Sequence, residues 1–205
     1  MKGNDISVVV DHLAKQTKFT DCRQMGLYKE PKSERPHLMR KLGTGYDLDP
    51  IFVDIGTKDM RFKSATSWDM YDGLRVWKDP SALVNEINTF SHVVTYNGDE
   101  FDLPILARSG LSGARSIDLY QNIKKSVPFV PEKGDLTLGT VSLATNAVLK
   151  WNTNEGYGKR CYSPANDTYL TRELFFHVLE NGYVGCFTKN EYGAPDQVRK
   201  VSVRI

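Results

Sequence analysis

Residues 50–59, PIFVDIGTKD, begin with an apolar run, Ile51-Phe52-Val53, that ends on an acid, Asp54. A short apolar run closed by turn formers is the pattern of a strand buried on both faces, and Gly56-Thr57 marks where the chain leaves it. Asp54 thus sits at a strand exit, where acids can hold a cation. One acid holds a cation poorly, so partners must come from elsewhere in the chain.

The flanking elements follow outward. MRFKSATSWD (60–69) alternates, which predicts a half-exposed strand with Met60, Phe62, Ser64, Thr66 and Trp68 on one face. MYDG then supplies turn chemistry and LRVW returns as a partner strand, giving a hairpin. KDPSALVNEINTF opens with Asp79 as N-cap and Pro80 at the first helical position, with Leu83, Val84 and Ile87 on one face. HVVTYNG is a second short apolar strand, broken by Asn97-Gly98. DEFDLPILARSG reads as a helix packing through Leu103, Ile105 and Leu106 and stopped by Gly110. RSIDLYQNIKKSV reads as a short strand entering a helix, and GDLTLGTVSLATNAVLKW as helical in parts. SPANDTYLTRELFFHVLENG carries Ser163 as N-cap, Pro164 at the first position, a Leu170/Leu174/Val178 stripe widened by Phe175 and Leu179, and Gly182 as its stop. The tail, YVGCFTKNEYGAPDQVRKVSVRI, reads as a two-stranded hairpin.

A strand, a hairpin, a crossover helix and a second strand imply an α/β architecture: a mixed sheet with helices on its faces. The helix at 80–87 makes the crossover that sets HVVT parallel to IFVD. The first 49 residues differ in texture, with two prolines and dense charge in YKEPKSERPHLMRK and turn formers in GTGYDLDP. They are expected to form an extension, with at most one strand (Ile6 to Val10) or a short helix. The compact domain is expected over 50–205.

Composition bounds the possibilities. At 40% apolar and 25% charged residues the chain has the make-up of an ordinary globular protein, not a disordered one. Its 205 residues suffice for one full core. No apolar run reaches the roughly 18 residues of a bilayer span, and MKGNDISVVVDHLAK lacks the pattern of a secretory signal. No membrane partner is expected. Cys22, Cys161 and Cys186 are odd in number and lack C-x-x-C spacing, which argues against a zinc site or a disulfide framework and for a reducing, cytoplasmic setting. Net charge is only +2, but residues 12–41 carry eight Lys/Arg against three acids. Within that stretch Lys29, Lys32, Arg35, Arg40 and Lys41 make a candidate nucleic-acid arm; a solvated arm explains the charge equally well.

Three acids fall where such a sheet would gather them. Asp54 ends the first strand, Asp102 follows the parallel strand, and Asp167 lies in the first turn of the late helix. Carboxyl ends of neighbouring parallel strands share an edge, where sites are usually built. Three carboxylates there suit Mg²⁺ or Mn²⁺, and two such ions about 4 Å apart serve phosphodiester hydrolysis. Each acid also has a structural reading: a polar strand exit for Asp54, a helix cap for Asp102, a favourable helix-dipole charge for Asp167.

HVVTYNGDEFDLPIL (92–106) closely resembles the second motif, N-x-x-x-F-D-x-P-x-L, of the DEDD (DnaQ-like) 3′–5′ exonucleases, through Asn97, Phe101, Asp102, Pro104 and Leu106. IFVDIGTKD is similar to the first motif, an apolar triplet followed by D-x-E-T. NDTYLTRELFFHVLENGYV is similar to the third, an acid followed by T/V-x-x-T-x-x-L. The segments SIDLYQNI and DLTLGTVSLATNAVLK, with the final hairpin, resemble exonuclease domains of some helicases and phage proteins. The resemblance covers roughly residues 50–205.

It implies a ribonuclease-H-like fold, Asp54, Asp102 and Asp167 as metal ligands, and hydrolysis from a 3′ end of DNA or RNA. It also calls for a Tyr or His shortly before the last acid. Tyr162 stands five positions ahead of Asp167, and four positions ahead stands Ser163. A phenol titrating near its usual value of about 10 is a poor base, so Tyr162 would orient the attacking water; a packing role is the alternative. Asn97, Phe101 and Thr57 are expected to shape the pocket for the terminal nucleotide. The departure is Gly56, where the family carries a glutamate; Asp59 is the nearest acid. A rival first motif, SVVVDHLAK with Asp11, leaves more than forty extra residues before the hairpin.

Two readings follow: a metal-dependent exonuclease on a single-stranded 3′ end, or a degenerate exonuclease fold kept as a nucleic-acid-binding or protein-interaction module. In either, the arm could dock a larger replication or defence-related assembly.

Overall fold

The computed structural model describes residues 48–59, 61–145, 164–189 and 195–205. The expected extension (including Ile6 to Val10 and Asp11), Met60, Tyr162 and the Ser163 cap lie outside the described residues, as does the arm with Lys29, Lys32, Arg35, Arg40 and Lys41.

The apolar run of the opening stretch becomes β1 (Pro50–Lys58), the central strand of a five-stranded sheet. β2 (Arg61–Asp69) and β3 (Gly73–Trp77) form the hairpin, β4 (His92–Thr95) and β5 (Arg115–Asp118) follow, and the spatial order is β3-β2-β1-β4-β5. β1 runs antiparallel to β2 and parallel to β4, with Ile51 opposite Val93 and Phe52 opposite Val94. β4 and β5 are also parallel. This is the mixed α/β sheet that the element order predicts, and Ile51, Phe52 and Val53 are buried because helices cover both its faces.

α1 (Pro80–Ile87) makes the crossover from β3 to β4. It begins where its sequence says, Asp79 accepting a 2.9 Å hydrogen bond from the Ser81 amide. Its Leu83, Val84 and Ile87 pack with Ile51, Val53 and Ala65 on one face of the sheet, joined by Leu106 of α2 (Asp102–Ala107). The other face carries α3 (Leu119–Ser126), α4 (Leu138–Ala144) and α5 (Pro164–Asn181). There Phe52 meets Phe175 edge-on at 5.2 Å between ring centroids, and Leu170, Leu174 and Val178 complete the expected stripe. Gly182, at φ 72°, ends α5 as a left-handed residue. β6 (Tyr183–Lys189) and β7 (Pro195–Ser202) form the terminal hairpin as a separate two-stranded sheet. No helix among the described residues is long and apolar enough to cross a membrane.

β2 departs from the simple alternation. Ala65 to Asp69 are buried on both faces, and only the first half of the strand is exposed. Phe62, expected beside Ser64, Thr66 and Trp68, packs instead with the Ile55/Ala65 cluster on the opposite face. The cause is a bulge: pairing jumps from Gly56–Ser64 to Thr57–Phe62, so Lys63 is the extra residue and side-chain parity reverses beyond it.

The ladders are also unequal in length. The β4 ladder ends at Phe52 and the β3 ladder covers Ala65 to Asp69, so 56–58 and 61–64 continue as a two-stranded ribbon with no third strand on either side.

Candidate active site

Asp54 lies two residues beyond Phe52 on β1, hence on the face covered by α5. Its cross-strand partner is Thr66, whose hydroxyl lies 2.7 Å from that of Thr168, the residue after Asp167. Both threonines are buried, so this contact ties the first turn of α5 to the strand beside Asp54. One step on, a Cβ built on Gly56 would lie 3.1 Å from Pro164 Cγ and 3.4 Å from Ser64 Oγ. The position where the family carries glutamate therefore faces the start of the helix that brings Asp167.

Asp102 reaches the same edge from β4. It is the first residue of α2; the capping position falls to Phe101, which makes no side-chain cap bond, so the helix-cap reading of Asp102 does not hold. The turn between β4 and α2 needs Asn97 at φ 64° and a glycine after it, because a Cβ at Gly98 would collide with the Thr95 side chain. Buried Asp118 holds this turn, accepting from the Asn97 amide at 2.9 Å, the Asp99 amide at 3.0 Å and the Gln121 amide at 3.2 Å. Asp118 stands in none of the three acidic motifs, although D118-L-Y-Q121 at the end of a strand carries the spacing of a helix-start box.

Electrostatics link Asp102 to Asp167 and to Asp118. Asp102 is 7% exposed, and burial is the largest influence on its carboxyl. The Ile55 amide, next to Asp54, donates to it and opposes the shift, while the charges of Asp118 and Asp167 add to it. The net result is a carboxyl pushed up to about 7. An acid held at the edge of ionisation by burial and by other acids is a fitting donor for a divalent cation, which would relieve both penalties.

The candidate aspartates do not close into a tight three-acid cluster. Among the described residues the three acids whose ligand oxygens all lie within 4.8 Å of one another are Asp69, Asp72 and Glu86, not the candidate set. That group already has its cation: Arg75 reaches Asp69 and Glu86 at 2.6 Å each and Asp72 at 3.5 Å. Asp69 also accepts from the Tyr71 and Asp72 amides, so it fixes the β2–β3 turn.

The remaining predicted residues surround the edge unevenly. Phe101 is half exposed, and Thr57 is exposed on the ribbon. The Asn97 side-chain oxygen lies 3.4 Å from Gln121 Nε2. Beside Asn97 a cavity of about 320 Å³ opens between Tyr96, Tyr120, Lys133 and Leu136. Asp59 sits at the ribbon's turn with φ 52°, exposed and beyond the edge where the acids gather.

A scan against protein-family models finds no match, and no curated protein matches either. Among solved structures the EXD2 exonuclease domain, soaked in Mg and GMP, is similar at a TM-score of 0.30 and 12% identity, over 71% of this chain and 79% of that one. The same domain soaked in Mn and GMP has the same score and identity, over 71% and 80%. At that distance the neighbours say nothing about Asp54, Asp102 or Asp167 individually.

Proposed function

We propose that the protein is a divalent-metal-dependent 3′–5′ exonuclease acting on single-stranded ends of DNA or RNA. The observation that supports this reading is Asp102, whose carboxyl, pushed up to about 7, feels the charges of Asp118 and Asp167 and accepts from the amide of Ile55, the residue after Asp54. The donor set fits Mg²⁺ or Mn²⁺, which take hard carboxylate oxygens. Mg²⁺ sites use one or two protein carboxylates, so a loose trio is no obstacle. Bound there, the ion would supply the positive charge that eases attack of water on phosphorus.

The chain's own residues do the rest. Asp54 and Asp102 would hold the ion from β1 and α2, and Asp167 from α5. The Ile55 amide keeps the Asp102 carboxylate oriented. Tyr162 orients the attacking water. Phe101 offers a half-exposed ring on which a terminal base can stack, with Asn97 and Thr57 at the pocket's margin. Residues 1–49, with Lys29, Lys32, Arg35, Arg40 and Lys41, serve as a basic arm for the strand or for a larger assembly. The odd cysteine count, with Cys186 buried and free, suits a reducing intracellular setting.

A second reading is favoured by one observation, Gly56. Without the family's glutamate one charged ligand is missing, and loss of a positioned acid costs orders of magnitude in rate. The fold would then serve as a nucleic-acid-binding or protein-interaction module.

A single-stranded oligonucleotide labelled at its 5′ end, incubated with Mg²⁺ or Mn²⁺, separates the two. Shortening from the 3′ end, abolished in Asp102→Ala, supports the enzyme. Binding without shortening in either protein refutes it and supports the module.

A further inference from the structure

The β1–β2 ribbon beyond the sheet has a composition that packing does not explain. Lys58, Arg61 and Lys63 are all exposed there, against one acid, Asp59 at the turn. None of the three cations has an ion-pair partner among the described residues. Lys58 and Arg61 are moreover cross-strand partners. Like charges placed directly opposite each other destabilise a strand pair, so the ribbon carries a repulsion that Asp59 at its turn offsets only in part. Lys63 is the bulged residue, opposite the Gly56–Thr57 step. Bulges re-aim side chains at strand edges and beside active sites.

The placement is as informative as the charge. β1 runs from Asp54 through Gly56 to Lys58 without interruption. At about 3.3 Å per residue, Lys58 lies about 13 Å along the strand from Asp54. The cations therefore stand outside the acidic edge and flank it, too far from Asp54 to neutralise it and close enough to hold a chain that enters it. A ribbon with a cation at successive steps matches an anion that repeats along its length.

We infer that the β1–β2 ribbon is a docking surface for the phosphate backbone of a single-stranded nucleic acid, with Lys58, Arg61 and Lys63 gripping the phosphates next to the one at the acidic edge. This deepens the nuclease reading and rests on it for orientation: the gripped phosphates lie on the 5′ side of the terminal nucleotide. The grip itself needs no metal and no hydrolysis. It makes the protein a binder of polynucleotides over mononucleotides.

The test is binding of a fluorescent single-stranded oligonucleotide in EDTA, followed by anisotropy across salt concentration. Wild type, Lys58→Ala/Arg61→Ala/Lys63→Ala and Lys58→Arg/Arg61→Lys/Lys63→Arg are compared, each checked by circular dichroism and thermal melting. Each phosphate contact to a single strand contributes about 0.7 to the slope of log affinity against log salt, so the alanine variant should lose about 2 from that slope and bind about tenfold more weakly at low salt. The charge-keeping variant should retain the slope. If the triple alanine variant melts early, the three single variants replace it, each expected to lose about 0.7. An unchanged slope in the alanine variants, a slope lost equally in the charge-keeping variant, or a wild type that binds no oligonucleotide overturns the inference. Slope loss in a protein that never hydrolyses leaves the grip standing and removes the nuclease reading; hydrolysis with an unchanged slope does the reverse.

Discussion

Replacing Asp102 by asparagine should make the metal-free protein more stable while removing its activity. The carboxyl is 7% exposed, and its value of about 7 stands well above the ordinary 3.8. Between those two values the folded protein keeps a proton that the unfolded chain has released. Stability is therefore fully present in acid and is lost as the pH rises from about 4 through 7. At 1.36 kcal/mol per pH unit the loss comes to about 4 kcal/mol above pH 7. Asparagine carries no charge to bury, and its amide oxygen can still accept from the Ile55 amide. Asp102→Asn should thus match wild type near pH 4 and exceed it by up to about 4 kcal/mol near pH 8, or about 8–16 °C in midpoint for a chain of this size. Urea titrations of both proteins in EDTA at several pH values give the difference directly, because contributions from other groups cancel. Saturating Mn²⁺, at about a hundredfold excess over its dissociation constant, should add about 2.7 kcal/mol to wild type alone. Equal stabilities near pH 8, or a difference that does not change with pH, would refute the claim that burial and the Asp118 and Asp167 charges hold this carboxyl back.

Three further outcomes follow from the same geometry. Gly56→Glu places a carboxylate on the acidic edge at the cost of a shift of a few tenths of an ångström at Pro164; it should raise Mn²⁺ affinity by about tenfold or more, read by calorimetry, and an affinity no better than wild type would show that the position does not face the ion. Thr168→Val leaves the buried Thr66 hydroxyl without its partner and should cost about 1–3 kcal/mol in urea denaturation, and Thr66→Val, after which Thr168 still donates to the Thr66 carbonyl at 3.3 Å, should cost less; strict additivity in the double substitution would count against the buried contact. Asp118→Ala removes the acceptor for the Asn97, Asp99 and Gln121 amides and one charge acting on Asp102. It should cost about 2 kcal/mol or more and lower the pH at which Asp102 titrates, followed by NMR of the carboxyl carbon; an unmoved titration would remove Asp118 from the site's electrostatics.

The elements were legible wherever one local rule dominated. The apolar triplet at 51–53 read as a buried central strand, and Asp79-Pro80 as a helix start. Each depends on residues within one turn or one strand. The parallel pairing of β1 with β4 followed from the length of chain between them, enough for a hairpin and a crossover helix. What escaped was set by distant partners or by a single inserted residue. The bulge at Lys63 leaves the alternation of 60–69 looking regular, yet it carries Phe62 to the opposite face. Asp118 has a local helix-start spacing, but its bonds to the 97–99 turn depend on β4 and β5 being neighbours. Gly56 was visible as a departure from a motif. That its missing side chain would point at Pro164 was not, because the contact spans more than a hundred residues.

Two groups of acids in this fold differ in the charges that surround them. Asp69, Asp72 and Glu86 lie close enough to share an ion, and Arg75 fills that role from within the chain, so their charges are partly offset without disturbing the turn that Asp69 fixes. The charged neighbours acting on Asp102 are instead Asp118 and Asp167, both of its own sign. The protein thus carries at neutral pH a buried carboxyl worth about 4 kcal/mol of lost stability, a large share of what a domain has. A neutral residue of the same shape would remove that loss. Arg75 shows that this fold can also remove it with an internal cation. A buried carboxyl with no cation acting on it among the described residues, at the edge where β1, β4 and α5 converge, is what the proposed site, taking its cation from solution, requires.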